Sequence, residues 1–185
     1  MESELLIKAV KQVQKDKDSL AFRYIYDTLS PKLYFLTIRY LKSESEAQDV
    51  LQESFVTVFM KIKKYKGNGS FEGWVRRIIV NNCLQRLKKN KKTLISKEIE
   101  INEISDSDTS EELELESDNS TLKKELIQAM FKLPDGYRTV LNLYVLEDYT
   151  HKEIAQMLNI SEGTSRSQLN RAKQALKKIV IAYEA

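Results

Sequence analysis

Between Thr93 and Asp118 ten carboxylates face a single cation, Lys97. The few Ile and Leu of that stretch are interleaved with acids. It cannot bury enough apolar surface to offset the entropy of ordering it. The expected state is a mostly unstructured tether, with a turn or two of helix near residues 111–116. A chain interrupted in this way cannot fold around one core. It must build one on each side, over residues 1–92 and 119–185.

Both sides read as helical. Only five Gly and two Pro in 185 residues argue against an all-β chain with many tight turns. Leu5, Ile7, Val10 and Val13 fit a short first helix. A long apolar-faced stretch follows from Leu20 to Leu41 and passes Pro31, where a kink or break is expected. Ser43 with Glu46 forms a capping box. It opens a helix carrying Val50, Leu51, Phe55, Val58, Phe59 and Ile62 at spacings of mostly three and four. Gly67-Asn68-Gly69-Ser70 breaks the pattern. Ser70 can then cap a helix containing Phe71, Trp74, Val75, Ile78, Ile79 and Leu87. Beyond the tether, Leu122 to Leu133 mark one helix, Pro134-Asp135-Gly136 a turn, and Tyr137 to Leu146 another helix. The fold class is all-α, with two helical domains and a flexible acidic linker.

One Cys and one His exclude a zinc site or a disulfide framework. No cofactor or metal is expected. No apolar run approaches ~20 residues, so no membrane insertion is expected. The first residues lack the basic-then-apolar order of a signal peptide. A soluble cytoplasmic protein is the expectation.

The net charge of +3 hides a segregation. From Lys61 to Lys92 Glu72 is the sole acid among many Lys and Arg. A basic patch of this density suits a polyanion. Within it, Tyr65, Lys66, Asn68 and Ser70 line a Gly-rich loop, with Phe71 and Trp74 just beyond. Arg77, Asn81, Gln85 and Lys88, spaced by four, four and three, fall on one helix strip. Aromatics beside a basic, amide-bearing strip suit unpaired bases better than intact duplex. A loop pocket could hold a base drawn out of the stack. Trp74 and Phe71 also fit a core, with Trp74 showing one edge at the surface. No clustered Asp, Glu and His accompany the strip, which argues against an enzyme acting on nucleic acid.

At the other end, Thr150 and Glu153 form a second capping box. Ala155 is small enough for a close helix crossing. Asn159 tolerates the left-handed conformation a helix end needs, Ile160 plugs the corner, and Ser161 caps a long helix. Leu169, Ala172, Leu176 and Ile179 form that helix's core side. This is a helix-turn-helix, whose second helix enters the major groove. Arg166, Ser167 and Asn170 lie at its reading end. Arg171, Lys173 and Lys177 suit phosphates. His151 reads as a solvent-facing first-turn residue.

Three motifs, in this order, resemble the extracytoplasmic-function group of the sigma-70 family of bacterial RNA polymerase sigma factors. They are EAQDVLQESFVTVF, SFEGWVRRIIVNN and LPDGYRTVLNLYVLEDYTHKEIAQMLNISEGTSRSQLNRAKQAL. The resemblance covers about residues 18–92 and 119–181. It implies a factor that binds core RNA polymerase, directs it to promoters and helps open DNA. By position it places Asp49, Gln52, Glu53 and Phe55 on the polymerase. Tyr65 to Ser70 and Trp74 would capture a flipped base of the minus-ten element, with Arg77, Asn81, Gln85 and Lys88 on that strand. Arg166, Ser167, Asn170, Arg171 and Lys173 would read the minus-thirty-five element. An anti-sigma factor is a further implied partner. Two departures leave the promoter sequence open: Ser165 stands where an apolar residue is usual, and Gln168 where Arg is frequent. The alternative is a stand-alone helix-turn-helix regulator that binds duplex tightly without polymerase. Residues 93–118 could stretch to roughly 90 Å, whereas two DNA turns span about 70 Å. One chain can therefore hold two readers that far apart.

Overall fold

The computed structural model describes residues 2–98 and 120–184, and among them every regular element is helical. The chain separates into two compact units, one built from the first four helices and one from the last four.

In the first unit, α1 (Glu2–Asp16), α2 (Ser19–Leu41), α3 (Glu44–Lys61) and α4 (Phe71–Glu98) pack around α2, which touches the other three. The reason lies in the α2 sequence. Ala21, Ile25, Leu29, Leu33, Leu36 and Tyr40 recur every three or four residues and are all buried. Each large apolar side chain sealed in this way contributes roughly 1.5–3 kcal/mol. Asp18 starts the helix by accepting the N–H groups of Leu20 and Ala21 at 2.8 and 3.0 Å. Lys42, at φ 63°, ends it. Of the kink or break expected at Pro31, the break does not occur, and α2 runs through it. Pro31 and Asp27 are both exposed, so water can satisfy the carbonyl that proline leaves without a donor, while the opposite face stays packed.

Ser43 caps α3 by accepting Glu46 N–H at 3.3 Å. The Glu46 carboxylate reaches across to α4, where Asn90 donates to it at 3.0 and 3.3 Å. A short 3-10 turn, Ile62–Lys64, follows α3. Ser70 caps the start of α4, taking Gly73 N–H at 3.0 Å. α4 buries Phe71, Val75, Ile79, Val80, Cys83 and Leu84. It continues to Glu98, six residues into the stretch expected to be tether. Thr93 to Glu98 contains no Gly or Pro, and extending a formed helix is far easier than nucleating one. The helical turns expected near residues 111–116 lie outside the described residues.

The second unit consists of α5 (Ser120–Phe131), α6 (Asp135–Leu141), a π-turn (Asn142–Leu146), α7 (His151–Leu158) and α8 (Glu162–Glu184). Pro134 is the N-cap of α6, so Asp135 and Gly136 belong to its first turn and not to a loop. The expected helix from Tyr137 to Leu146 loosens at Asn142, where Glu147 N–H bonds back to Asn142 C=O at 3.1 Å. Its core gathers Ile127, Met130, Leu133, Val140, Leu143, Ile154, Leu169 and Ala172. Among the described residues no helix is long and apolar enough to cross a membrane.

Candidate nucleic-acid interface

The α3–α4 connection is anchored at Tyr65. Its ring lies against Phe71 (centroids 5.1 Å apart) and Trp74 (5.8 Å), and its hydroxyl donates to Gly69 C=O at 2.8 Å. Lys66, Gly67, Asn68, Gly69 and Ser70 are exposed. Gly67 and Gly69 hold φ of 82° and 84°, a region closed to most side chains. Of the aromatics, Phe71 is core and Trp74 is half-buried, with its ring 5.6 Å from Phe71. The result is a tip of backbone and small polar groups on an aromatic floor.

The strip reads as the spacing implies. Arg77, Asn81, Gln85 and Lys88 are all exposed along α4. Its neighbours turn inward. Asn82 donates to the buried Ser54 hydroxyl at 2.9 Å, and half-buried Arg86 pairs with Glu53 at 3.0 Å and Glu46 at 3.9 Å. Glu53 therefore already holds a partner within the unit. Asp49 and Gln52 are exposed on α3.

Phe55 requires correction as a surface residue. It is 2% exposed, with its ring edge-on to Tyr26 at 4.7 Å and Phe22 at 6.4 Å. One position along a helix turns a side chain by about 100°. The apolar groups that α3 does present outward are Val56 and Met60, 54% and 71% exposed. The sequence shows them only as apolar residues four apart, off the buried row.

In the helix-turn-helix, Thr150 and Glu153 satisfy one another's backbone N–H at 3.3 and 2.8 Å. Asn159 adopts φ 55° and ψ 52°, and Ser161 accepts Thr164 N–H at 2.9 Å. Arg166, Ser167, Asn170, Arg171 and Lys173 are all exposed on α8. Arg166 rests on Glu162 at 3.3 Å, one turn earlier, and Ser167 donates to Thr164 C=O at 3.0 Å.

Ser165 sits in the row that continues with Leu169 and Ala172, and it is fully buried. Its hydroxyl meets His151 Nδ1 at 2.9 Å. The imidazole stacks on Tyr144, with centroids 4.4 Å apart. His151 is thus half-buried and ties α7 to α8, contrary to its reading as a solvent-facing residue. Burial lowers its pKa. Arg166 pushes the same way, Glu162 opposes and Lys173 adds to the lowering. The periodicity carried no signal for this tie, but the polar residue at a core position of α8 did. Arg138 is a second feature missed in the sequence. It is 1% exposed, and its guanidinium bonds Asp135 Oδ1 at 2.7 Å and Leu133 C=O at 3.1 Å. Desolvation lowers its pKa against the pull of Asp135.

Comparison with known proteins gives both halves a family. Residues 25–93 match the model for sigma-70 region 2, and residues 123–176 match that for sigma-70 region 4. An ECF RNA polymerase sigma factor of Bacillus subtilis, SigW, is 32% identical over 190 residues, covering 95% of this chain and 97% of that protein. The ECF RNA polymerase sigma-E factor of Salmonella typhimurium is 30% identical over 173 residues, covering 90% of each. Among solved structures, the sigma factor RpoE bound to the anti-sigma factor NepR from Bartonella quintana shares the fold. Its TM-score is 0.58 at 16% identity, over 86% of this chain and 96% of that one. CnrH in complex with the cytosolic domain of CnrY has a TM-score of 0.52 at 18% identity, over 98% and 97% of the two chains. With two exposed basic surfaces on separate helical units and matches that run nearly end to end, the chain belongs to the extracytoplasmic-function group of the sigma-70 family.

Proposed function

We propose that the chain is a transcription initiation factor and not an enzyme. It binds core RNA polymerase, directs it to specific promoters and helps open the DNA, in the cytoplasm. Residues 1–92 act as region 2, residues 93–118 as the linker and residues 119–185 as region 4. The exposed faces of Asp49, Gln52 and Glu53, together with Val56 and Met60, dock on polymerase. Tyr65, Lys66, Asn68 and Ser70, with the Trp74 edge, take a flipped minus-ten base. Arg77, Asn81, Gln85 and Lys88 hold the opened strand. Arg166, Ser167 and Asn170 read the minus-thirty-five duplex, while Arg171 and Lys173 neutralise phosphates. A sigma factor that shares this fold, RpoE of Bartonella quintana, has been solved with the anti-sigma factor NepR, and an anti-sigma factor is the expected inhibitory partner.

The observation that supports this reading most is the Gly-rich tip beside the exposed Arg77–Lys88 strip. Open backbone, an aromatic floor and cations in line match the needs of single-stranded DNA. In vitro transcription with purified core polymerase and genomic DNA, with and without the protein, tests the function. Arg77→Ala with Asn81→Ala tests the strip. Promoter melting should fall while core binding persists. Loss of core binding instead would mean that the strip has been misassigned. Tight duplex binding by the free protein, indifferent to polymerase, would favour a stand-alone regulator.

A further inference from the structure

The end of α3 is closed by side chains from α1 and from Lys17, just beyond it. A helix leaves its last carbonyls without intrahelical donors. Here Gln14 Nε2 donates to Tyr65 C=O at 2.9 Å and adds a second bond, also 2.9 Å, to Ile62 C=O, which already accepts Tyr65 N–H at 3.1 Å. Lys17 Nζ donates to Phe59 C=O at 2.6 Å and lies 4.4 Å from that ring's centroid. The two Gln14 acceptors bracket the 3-10 turn and the residue from which the exposed loop springs.

We propose that Gln14 is a positioning residue for base selection: its amide braces the root of the Tyr65–Ser70 loop and so sets the shape of the tip that receives the minus-ten base. The inference rests on the reading of that loop as the minus-ten reader. Tyr65 is the pivot. Gln14 holds its backbone, Phe71 and Trp74 hold its ring, and its own hydroxyl holds Gly69. The two glycines of the tip, both at positive φ, are intrinsically free to move. Restraint must therefore come from the root. The grip of α1 on the core comes from Ala9, Val10 and Val13 and does not need Gln14, which is only half-buried.

The chemistry dictates the test. A carboxamide offers two N–H donors, and an ionised carboxylate of the same shape offers none. Gln14→Glu thus removes both bonds with little change in volume, and Gln14→Ala serves if that variant does not fold. The probe is a promoter recovered from the wild-type genomic transcription, with its minus-ten hexamer randomised and its upstream element fixed. Holoenzyme carrying Gln14→Glu should discriminate between minus-ten bases about five- to tenfold less well, the order expected for losing one or two hydrogen bonds. Core affinity and upstream-element preference should not change. A base-preference profile of unaltered shape, whatever the total activity, overturns the brace. Asn68→Ala, run in parallel, separates the two ideas. If it flattens the profile and Gln14→Glu does not, the brace alone fails. If neither alters the profile, the assignment of the loop fails with it.

Discussion

Adjacent residues on α3 should have opposite effects. Phe55 is 2% exposed and wedged between Tyr26 and Phe22, whereas Val56 is 54% exposed. Removing a buried phenyl ring loses its transfer energy and leaves a cavity, together about 3–5 kcal/mol. For a domain of this size, with a urea m-value of about 1.5 kcal/mol/M, the unfolding midpoint of Phe55→Ala should drop by roughly 2–3 M. Trp74, the chain's single tryptophan, lies in the same unit and reports the transition by fluorescence. Val56→Asp buries nothing new, and its stability should stay within about 0.5 kcal/mol of wild type. Its affinity for core polymerase should fall by tenfold or more, as for the loss of a central apolar contact in an interface. If Phe55→Ala left the midpoint unchanged and abolished core binding, the ring would be an interface residue. The packing of α2 against α3 described above would then be wrong.

The second unit carries two further tests. The pKa of His151 is lower in the folded state than in the unfolded chain, so its stabilising effect is complete above about pH 6.5. That effect is lost as pH falls through the folded value, because the unfolded state then binds the extra proton. Thermal unfolding of this unit should therefore show an acid-side loss that His151→Phe removes. Unaltered pH dependence in that variant would contradict the tie. Asn159 sits at φ 55°, so Asn159→Val should lower stability by about 1–2 kcal/mol while Asn159→Gly stays near wild type. Equal effects of the two would argue against the left-handed cap.

Local chemistry proved legible and distant contacts did not. Ser43, Ser70, Thr150 and Ser161 all cap the helices that their neighbours imply, because a cap depends on three or four consecutive residues. Asn159 and the exposure of Arg77, Asn81, Gln85 and Lys88 follow from the same short-range rules. Gln14 bonds to carbonyls 48 and 51 residues away, and nothing in the pattern around it announces this. Ser165 stands out as a polar residue in an apolar row, but its partner His151 becomes evident only once α7 and α8 are packed. Arg138 pairs locally, with Asp135 three residues earlier, and only its burial comes from the packing. The spacing of α3 already puts Phe55 on its apolar row, where it is buried; only the resemblance assigns it to the polymerase. Pro31 and the extension of α4 to Glu98 show tertiary packing and helix propagation overriding local signals.

The polar ties between α3 and α4 follow from what the two helices must do together. Apolar ridges alone permit helices to slide by a turn, about 5.4 Å, at modest loss. A slip of that size would carry Arg77 to the place of Asn81 and dissociate the strip from the loop. Directional bonds forbid it. Asn82 meets Ser54, which itself donates to Val50 C=O at 2.6 Å; Arg86 meets Glu53; and Asn90 meets Glu46. These contacts recur every four residues along α4, one per turn, and a shift in register would break the native set, above all the Asn82–Ser54 bond to a buried hydroxyl. Buried and half-buried polar pairs add little net stability relative to apolar packing, but they discriminate strongly between registers. On the proposed reading α3 meets polymerase and α4 meets the opened strand. A fixed register then keeps the surface that docks and the surface that reads at a constant offset, which a purely greasy seam would not guarantee.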